Sequence, residues 1–281
     1  MVNFNGHLLS KDTPFLTFAN RGLKYGDAVF ETLRVVNGKI YFWEDHYFRL
    51  MATMRILRME IPMDYTMEFL QEEVLKTLRS NAFIHLPVRV RLTIFRNDGG
   101  LYAPATNTVS YIIESDVLDT PFYIIDELHY EVELFKDHFV NAGMLSNLKS
   151  TNKILHVVAS VFAQENGYQN CLLLNPSKQI VEAINGNLFL VTDGIIKTPP
   201  LRDGCLNGIL RKKIIQIIDG WEAYEFSEES ISPFELQKAD EMFITNIVSG
   251  IQPVTKYRKK QFHKNVSKSL VGKLNALARL T

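Results

Sequence analysis

Few side chains in this sequence stand in a local pattern that does chemistry by itself. No GxSxG elbow presents a serine nucleophile, no HExxH motif pairs two histidines for zinc, and no GxxxxGK[ST] loop offers backbone amides to a phosphate. The seven histidines are far apart in sequence and suggest no close-spaced metal site. Cys171 and Cys205 form no CxxC pair, and Cys171 opens the apolar run CLLLN, the setting of a buried structural thiol. A zinc or cysteine enzyme is not expected, and no metal is. What remains is a set of lysines, arginines and carboxylates whose order along the chain carries more information than any spacing within it.

Composition narrows the classes further. The 281 residues carry 31 Lys+Arg against 31 Asp+Glu, so the formal net charge is zero. That balance argues against a nucleic-acid binder, which needs a basic stripe, and against a polybasic membrane-surface protein. The length suggests two domains or one large one. Two cysteines are too few for a disulfide framework and suit a reducing compartment. No cationic segment followed by an apolar stretch opens the chain, and no apolar run is long enough to span a bilayer. A soluble, cytoplasmic protein is expected.

The elements that must position the chemistry are readable in outline. AVFETLRVVNGKIYF (28–42) is two β-rich runs joined by Asn37-Gly38, a strong hairpin signal because both central turn positions need positive φ. Tyr47, Phe48, Leu50, Met51, Met54, Ile56 and Leu57 recur at helical spacing, and Asp64 is placed to cap a second helix. Residues 86–95 alternate as a strand with Arg89 and Arg91 on one face, and 108–113 form another. ESDVLDTP (114–121) is polar and turn-rich. It marks the expected boundary between a small N-terminal α/β domain (1–117) and a larger C-terminal domain (118–281).

The second half should open with a strand at 122–125. A helix follows with Ile154, Leu155, Val157, Val158, Val161 and Phe162 inward and Gly167 at its end. A further helix is expected just after Asn207-Gly208, and 232–235 reads as a capping box. A strand at 241–245 and an amphipathic helix at 266–280 complete the pattern. The fold class is α+β, with mixed sheets and two lobes.

Five segments in order then carry a resemblance over nearly the whole chain. They are RGLKYGDAVFETLRVVNGKIYFWEDHYFRL (21–50), LKSTNKI (148–154), VEAINGNLFLVTDGIIKTPP (181–200), LNGILR (206–211) and ADEMFITNIVSGIQPV (239–254). Each is weak alone. Together they resemble the fold-type IV, or class IV aminotransferase, family of pyridoxal 5'-phosphate (PLP) enzymes, which includes branched-chain and D-amino-acid aminotransferases and aminodeoxychorismate lyases.

The resemblance implies a role for each matched residue. Lys149, in LKSTNKI and so expected in the C-terminal domain, is the lysine that binds the cofactor aldehyde and later shuttles a proton. Glu182 is the partner of the pyridine nitrogen and keeps it protonated. Arg49 matches the arginine that grips the cofactor phosphate. Ile209 and Leu210 would offer backbone N–H groups at a helix start, and Asn246 and Ile247 occupy the last phosphate loop. Aminotransferases commonly carry Thr where Leu210 stands, so one hydroxyl contact is missing. Lys153 falls where relatives place a group near the phenolic oxygen, and Asn185 is a weaker candidate beside it.

On the substrate side, Phe30 and Arg34 lie on the strand that lines the pocket in relatives, and Arg91 matches an arginine near the substrate carboxylate. Tyr25 and Tyr102 are further wall candidates. The implied reaction is transamination between an α-amino acid and a 2-oxo acid, branched-chain-like in substrate. The implied assembly is a homodimer, with PLP between two lobes and a loop from one subunit closing its neighbour's pocket. Aminodeoxychorismate lyase, releasing 4-aminobenzoate and pyruvate, is the alternative, because LKSTNKI and LNGILR look more like the lyase forms. A catalytically inactive ligand-binding relative would be expected to lack Lys149 or Glu182, and both are present.

Overall fold

The computed structural model describes residues 1–280 and contains two compact units. The first comprises residues 1–121 with 149–152; the second comprises 122–148 with 153–280.

In the first unit the chain runs β1 (Val2–Phe4), β2 (His7–Leu9), α1 (Arg21–Tyr25), β3 (Ala28–Val36), β4 (Lys39–Ile40), α2 (Trp43–Ile56), α3 (Met67–Ser80), β5 (Pro87–Arg96) and β6 (Val109–Val117). The strands form one antiparallel sheet in the order β2-β1-β6-β5-β3-β4. The Asn37-Gly38 turn forms as expected, with φ of 50° and 73°. Thr66, directly before α3, caps that helix by accepting the Phe69 N–H at 3.1 Å, a role expected of Asp64.

Strand alternation gives the sheet two unlike faces. Val29, Leu33, Val35, Val88, Val90, Leu92, Ile94 and Ile113 share one face and form a core with Leu50, Met54, Leu70, Val74 and Leu78 of α2 and α3. Paired residues on the other face are Phe30 with Thr93, Thr32 with Arg91, Arg34 with Arg89 and Arg91 with Glu114. This explains why β6 continues to Val117 through residues that look like a turn. Asp116 reaches Arg89 at 3.0 Å and Glu114 lies 3.8 Å from Arg91, so the charges are cross-strand partners.

Residues 149–152 add a short antiparallel stretch to the edge of β3. The Phe30 N–H donates to the Lys149 carbonyl at 2.9 Å, and the Thr151 N–H donates to Ala28 at 3.0 Å, around a Val29–Ser150 bridge. Asn152 Nδ2 donates to the Gly26 carbonyl. Gly26 ends α1 at φ 62°, and a Cβ there would lie 2.4 Å from Asn152 Oδ1. Only glycine satisfies both the backbone and the space.

The second unit contains β7 (Glu131–Phe135), α4 (Ile154–Glu165), β8 (Asn170–Leu174), β9 (Ile180–Ala183), β10 (Asn187–Thr192), β11 (Ile195–Thr198), α5 (Ile209–Asp219), β12 (Glu225–Glu228), β13 (Glu241–Asn246), β14 (Gly250–Val254), β15 (Lys256–Tyr257), β16 (Lys260–Gln261) and α6 (Asn265–Leu280). Two mixed sheets, β12-β11-β10-β13-β14 and β16-β15-β7-β8-β9, share a core that includes Leu134, Leu172, Leu188, Met242 and Ile244. The α+β class with mixed sheets is therefore present.

Three local expectations are overturned in whole or in part. No strand forms at 122–125; instead Tyr123 exchanges backbone hydrogen bonds with the Asn275 side chain of α6. The box at 232–235 closes through Ser232 N–H to Glu235 Oε1 at 2.7 Å, but only a 3-10 turn (Glu235–Gln237) follows. In α4 the inward stripe is Leu155, Ala159, Phe162 and Ala163. Ile154 (75% exposed), Val157, Val158 and Val161 face away from that core. Two alanines on the inward face let α4 approach β7 and β8 closely. Among the described residues no helix is long and apolar enough to cross a membrane.

Candidate active site

The edge of β3 holds the first group of candidate residues. Lys149 is opposite Phe30, and its Nζ lies 4.4 Å from the Phe30 ring centroid. The Arg91 guanidinium carbon lies 3.6 Å from the same centroid. Burial depresses the Arg91 guanidinium below its ordinary value, opposed by Glu114. Arg34 is buried on the same face, with Nη2 donating to the Thr120 carbonyl. The sheet thus brings Lys149, Phe30 and Arg91 together, with Arg34 farther along the strand. Tyr25 packs on Tyr102 at 5.7 Å, in a loop that Arg21 holds through the carbonyls of Gly99 and Leu101.

Arg49 belongs to the opposite face. Its Nε and Nη2 donate to both oxygens of Glu31 at 2.8 and 2.6 Å, a bidentate pair. His46 completes the group, with Nδ1 2.7 Å from Glu31 Oε2. Burial pushes the Glu31 carboxyl up, but Arg49 and His46 together overcome it and hold the group at about 2. Burial also depresses the His46 imidazole, opposed by Glu31. The neutral ring donates from Nδ1, while Nε2 is buried without a partner. The Nε–Nη2 edge of the guanidinium is committed to Glu31.

The second unit holds Glu182 on β9. Its Oε1 lies 3.2 Å from His156 Nε2, and its Oε2 accepts the Leu206 N–H at 2.8 Å. Lys153, at the start of α4, is depressed by burial, with Glu182 opposing. Its ammonium has no hydrogen-bond or ion-pair partner among the described residues. Asn185 lies away from this group in its bonding, accepting from Asn170 Nδ2 at 2.9 Å.

Beyond Leu206 the chain enters α5 at Gly208. That helix has no side-chain N-cap and no acidic residue in its first turn, so its leading N–H groups suit an anion. A Cβ on Gly208 would fall 2.0 Å from Asn187 Oδ1, while Asn187 Nδ2 holds the Leu206 carbonyl at 2.8 Å. Ile209 and Leu210 bury their side chains and contribute only backbone. In β13, Thr245 is paired with Asn187, and its Oγ1 is buried without a hydrogen-bond partner. An orphaned hydroxyl near an uncapped helix start is what a phosphate would satisfy, so the donor set fits PLP.

Asn246 caps its own turn, with Oδ1 accepting from Val248 and Ser249 at 3.0 and 2.9 Å. Ile247 offers its carbonyl to the Tyr123 hydroxyl.

The sequence reading missed Glu31, His46, His156 and Thr245 as functional candidates. Thr245 carried a signal, since it lies one position before the phosphate-loop residue named. Burial pushes the Cys171 and Cys205 thiols up to about 11 and about 12, consistent with inert core positions.

The sequence model of the amino-transferase class IV family matches residues 28–257, and the chain belongs to that family. A Methanocaldococcus jannaschii protein provisionally named branched-chain-amino-acid aminotransferase is 28% identical, over 90% of this chain and 86% of its own. D-alanine aminotransferase of Staphylococcus epidermidis is 25% identical, over 91% and 88%.

Among solved structures, the branched-chain aminotransferase of Thermoproteus uzoniensis superposes with a TM-score of 0.85 at 25% identity, covering 97% of this chain and 92% of that one. The 4-amino-4-deoxychorismate lyase of Pseudomonas aeruginosa shares the fold, with a TM-score of 0.82 at 24% identity over 98% and 97%. Class IV aminotransferases are PLP-dependent enzymes acting on amino acids and oxo acids, and this chain is an enzyme of that kind.

Proposed function

We propose that this chain transfers an amino group from an α-amino acid, branched-chain-like in its side chain, to a 2-oxo acid. The observation that carries the reading is the hydrogen-bonded attachment of the Lys149 segment to β3, which sets Nζ over Phe30 beside Arg91. When bound, PLP supplies an electron sink that makes the α-proton of an attached amino acid acidic. Lys149 Nζ would be the base that takes up and hands back that proton. Glu182 keeps the ring nitrogen protonated, which a carboxylate does by stabilising the adjacent positive charge. The α5 N–H groups, Thr245 Oγ1 and Arg49 are assigned to the phosphate. Arg91 and Arg34 are assigned to the substrate carboxylate, since a guanidinium matches its geometry and stays charged.

The lyase reading is kept because LKSTNKI and LNGILR resemble the lyase forms, and Leu210 buries an aliphatic side chain where aminotransferases place a hydroxyl. Half-reaction spectra separate the two. With PLP loaded, the protein should show a visible band that borohydride abolishes and Lys149→Ala lacks; colourless protein would end both readings. An L- or D-amino acid supplied without acceptor should convert the band to that of pyridoxamine phosphate. If the band persists while aminodeoxychorismate yields stoichiometric pyruvate, the lyase reading replaces the aminotransferase.

The homodimer is part of the same proposal. Leu101 and Tyr102 stand largely exposed (Tyr102 at 90%) on the loop that Arg21 braces, which suits a loop that contacts a second copy. A cytoplasmic location rests on two unpaired cysteines.

A further inference from the structure

Glu182 is held by a residue that no comparison assigns and that its own helix would not predict. His156 occupies α4, three residues before the inward-facing Ala159 and seven before Ala163. Those small side chains bring the helix close to the sheet, and the imidazole reaches Glu182 Oε1 at 3.2 Å. Its other nitrogen, Nδ1, is buried with no hydrogen-bond partner.

That arrangement orients the ring. A ring whose only proton sat on Nδ1 would set two lone pairs, on Nε2 and Oε1, against each other. Nε2 is therefore the donor to Glu182. The Leu206 N–H holds Oε2 at 2.8 Å. The carboxylate is thus clamped at both oxygens, one by a side chain and one by the backbone.

We propose that His156 is a positioning residue for Glu182. It fixes the plane of the carboxylate so that Glu182 meets the cofactor ring nitrogen in one orientation. The proposal rests on the reading of Glu182 as the partner of that nitrogen. His156 touches neither substrate nor reacting atoms and acts through Glu182 alone.

The test begins with the protein free of cofactor. The 15N shifts of the His156 ring, assigned by comparison with His156→Gln, should show Nε2 protonated; a ring protonated on Nδ1 alone would overturn the proposal. The second readout is the 15N shift of PLP labelled at its ring nitrogen. In His156→Phe that signal should move toward the unprotonated range and kcat should fall about ten-fold or more, the scale of one hydrogen bond to a charged group. KM should change little.

His156→Gln, whose Nε2 amide can replace the lost donor, should restore most of both; an equal loss in Gln and Phe variants would overturn the proposal. Glu182→Gln separates the underlying reading. If that variant leaves the ring signal and turnover intact, the role of Glu182 itself fails. If Glu182→Gln acts and His156→Phe does not, the His156 proposal alone fails.

Discussion

Replacing Arg49 by Met should reverse the acid dependence of stability in the first unit. In the native protein the Glu31 carboxyl, 1% exposed, sits at about 2 against an ordinary 4.5. At about 1.4 kcal/mol per pH unit, that displacement is worth ~3 kcal/mol. The folded value is depressed, so this stabilisation is present above pH 4.5 and is lost as pH falls through about 2. Arg49→Met removes the bidentate partner and leaves His46, whose neutral ring gives Glu31 a single hydrogen bond. Burial, the largest influence on Glu31, then dominates and raises the carboxyl above 4.5.

Stabilisation from Glu31 would then be present below pH 4.5 and lost as pH rises through the new value. The variant should lose about 3–5 kcal/mol at pH 7, the scale for breaking a buried pair, and clearly less at pH 4. Adding Glu31→Gln should recover much of the loss at pH 7. Urea unfolding of cofactor-free protein can follow this through Trp43, a member of the first unit's core, in a Trp221→Phe background. A cost below about 1 kcal/mol, or an equal cost at pH 4 and 7, would refute the reasoning.

Three further perturbations test the scaffold. Gly26→Ala must place a Cβ 2.4 Å from Asn152 Oδ1 at φ 62°; a Tm fall of about 2–8 °C is expected, with slower borohydride trapping at Lys149. Gly208→Ala should weaken PLP about 10–100-fold and leave phosphate-free pyridoxal unaffected, as titrations with each would show. Lys153 is depressed in the folded state, so its desolvation opposes folding until pH rises through the lowered value toward 10.5. Lys153→Met should therefore raise Tm at pH 7, with the gain shrinking as pH rises; a loss of Tm would mean that the ammonium is held by a favourable partner.

The legible parts of the fold were those whose cause is local. Asn37-Gly38 dictates its turn through positive φ at both positions, and the helix start after Gly208 follows from its neighbours. The illegible parts depend on partners far along the chain. Glu114 and Asp116 look like turn residues until Arg91 and Arg89 are opposite them. The apolar residues of α4 suggest an inward face, yet only Leu155 and Phe162 among them keep it, beside Ala159 and Ala163, which pack against β7 and β8. In the candidate site, Lys149 and Glu182 were visible through the order of five segments. Their supports were not, since a histidine 26 positions from its glutamate carries no spacing signal.

Among the described residues, the lysine segment is the one piece of the first unit that comes late in the chain. The polypeptide leaves that unit after residue 121, returns for residues 149–152, and leaves again. A recombination event with a single breakpoint between residues 121 and 149 would therefore separate Lys149 from the sheet that holds it. Exchange of either unit between relatives has to carry the strand bearing Phe30 and the turn bearing Lys149 as one inherited pair. A nascent chain, likewise, completes its first unit only after a stretch of the second has already been synthesised.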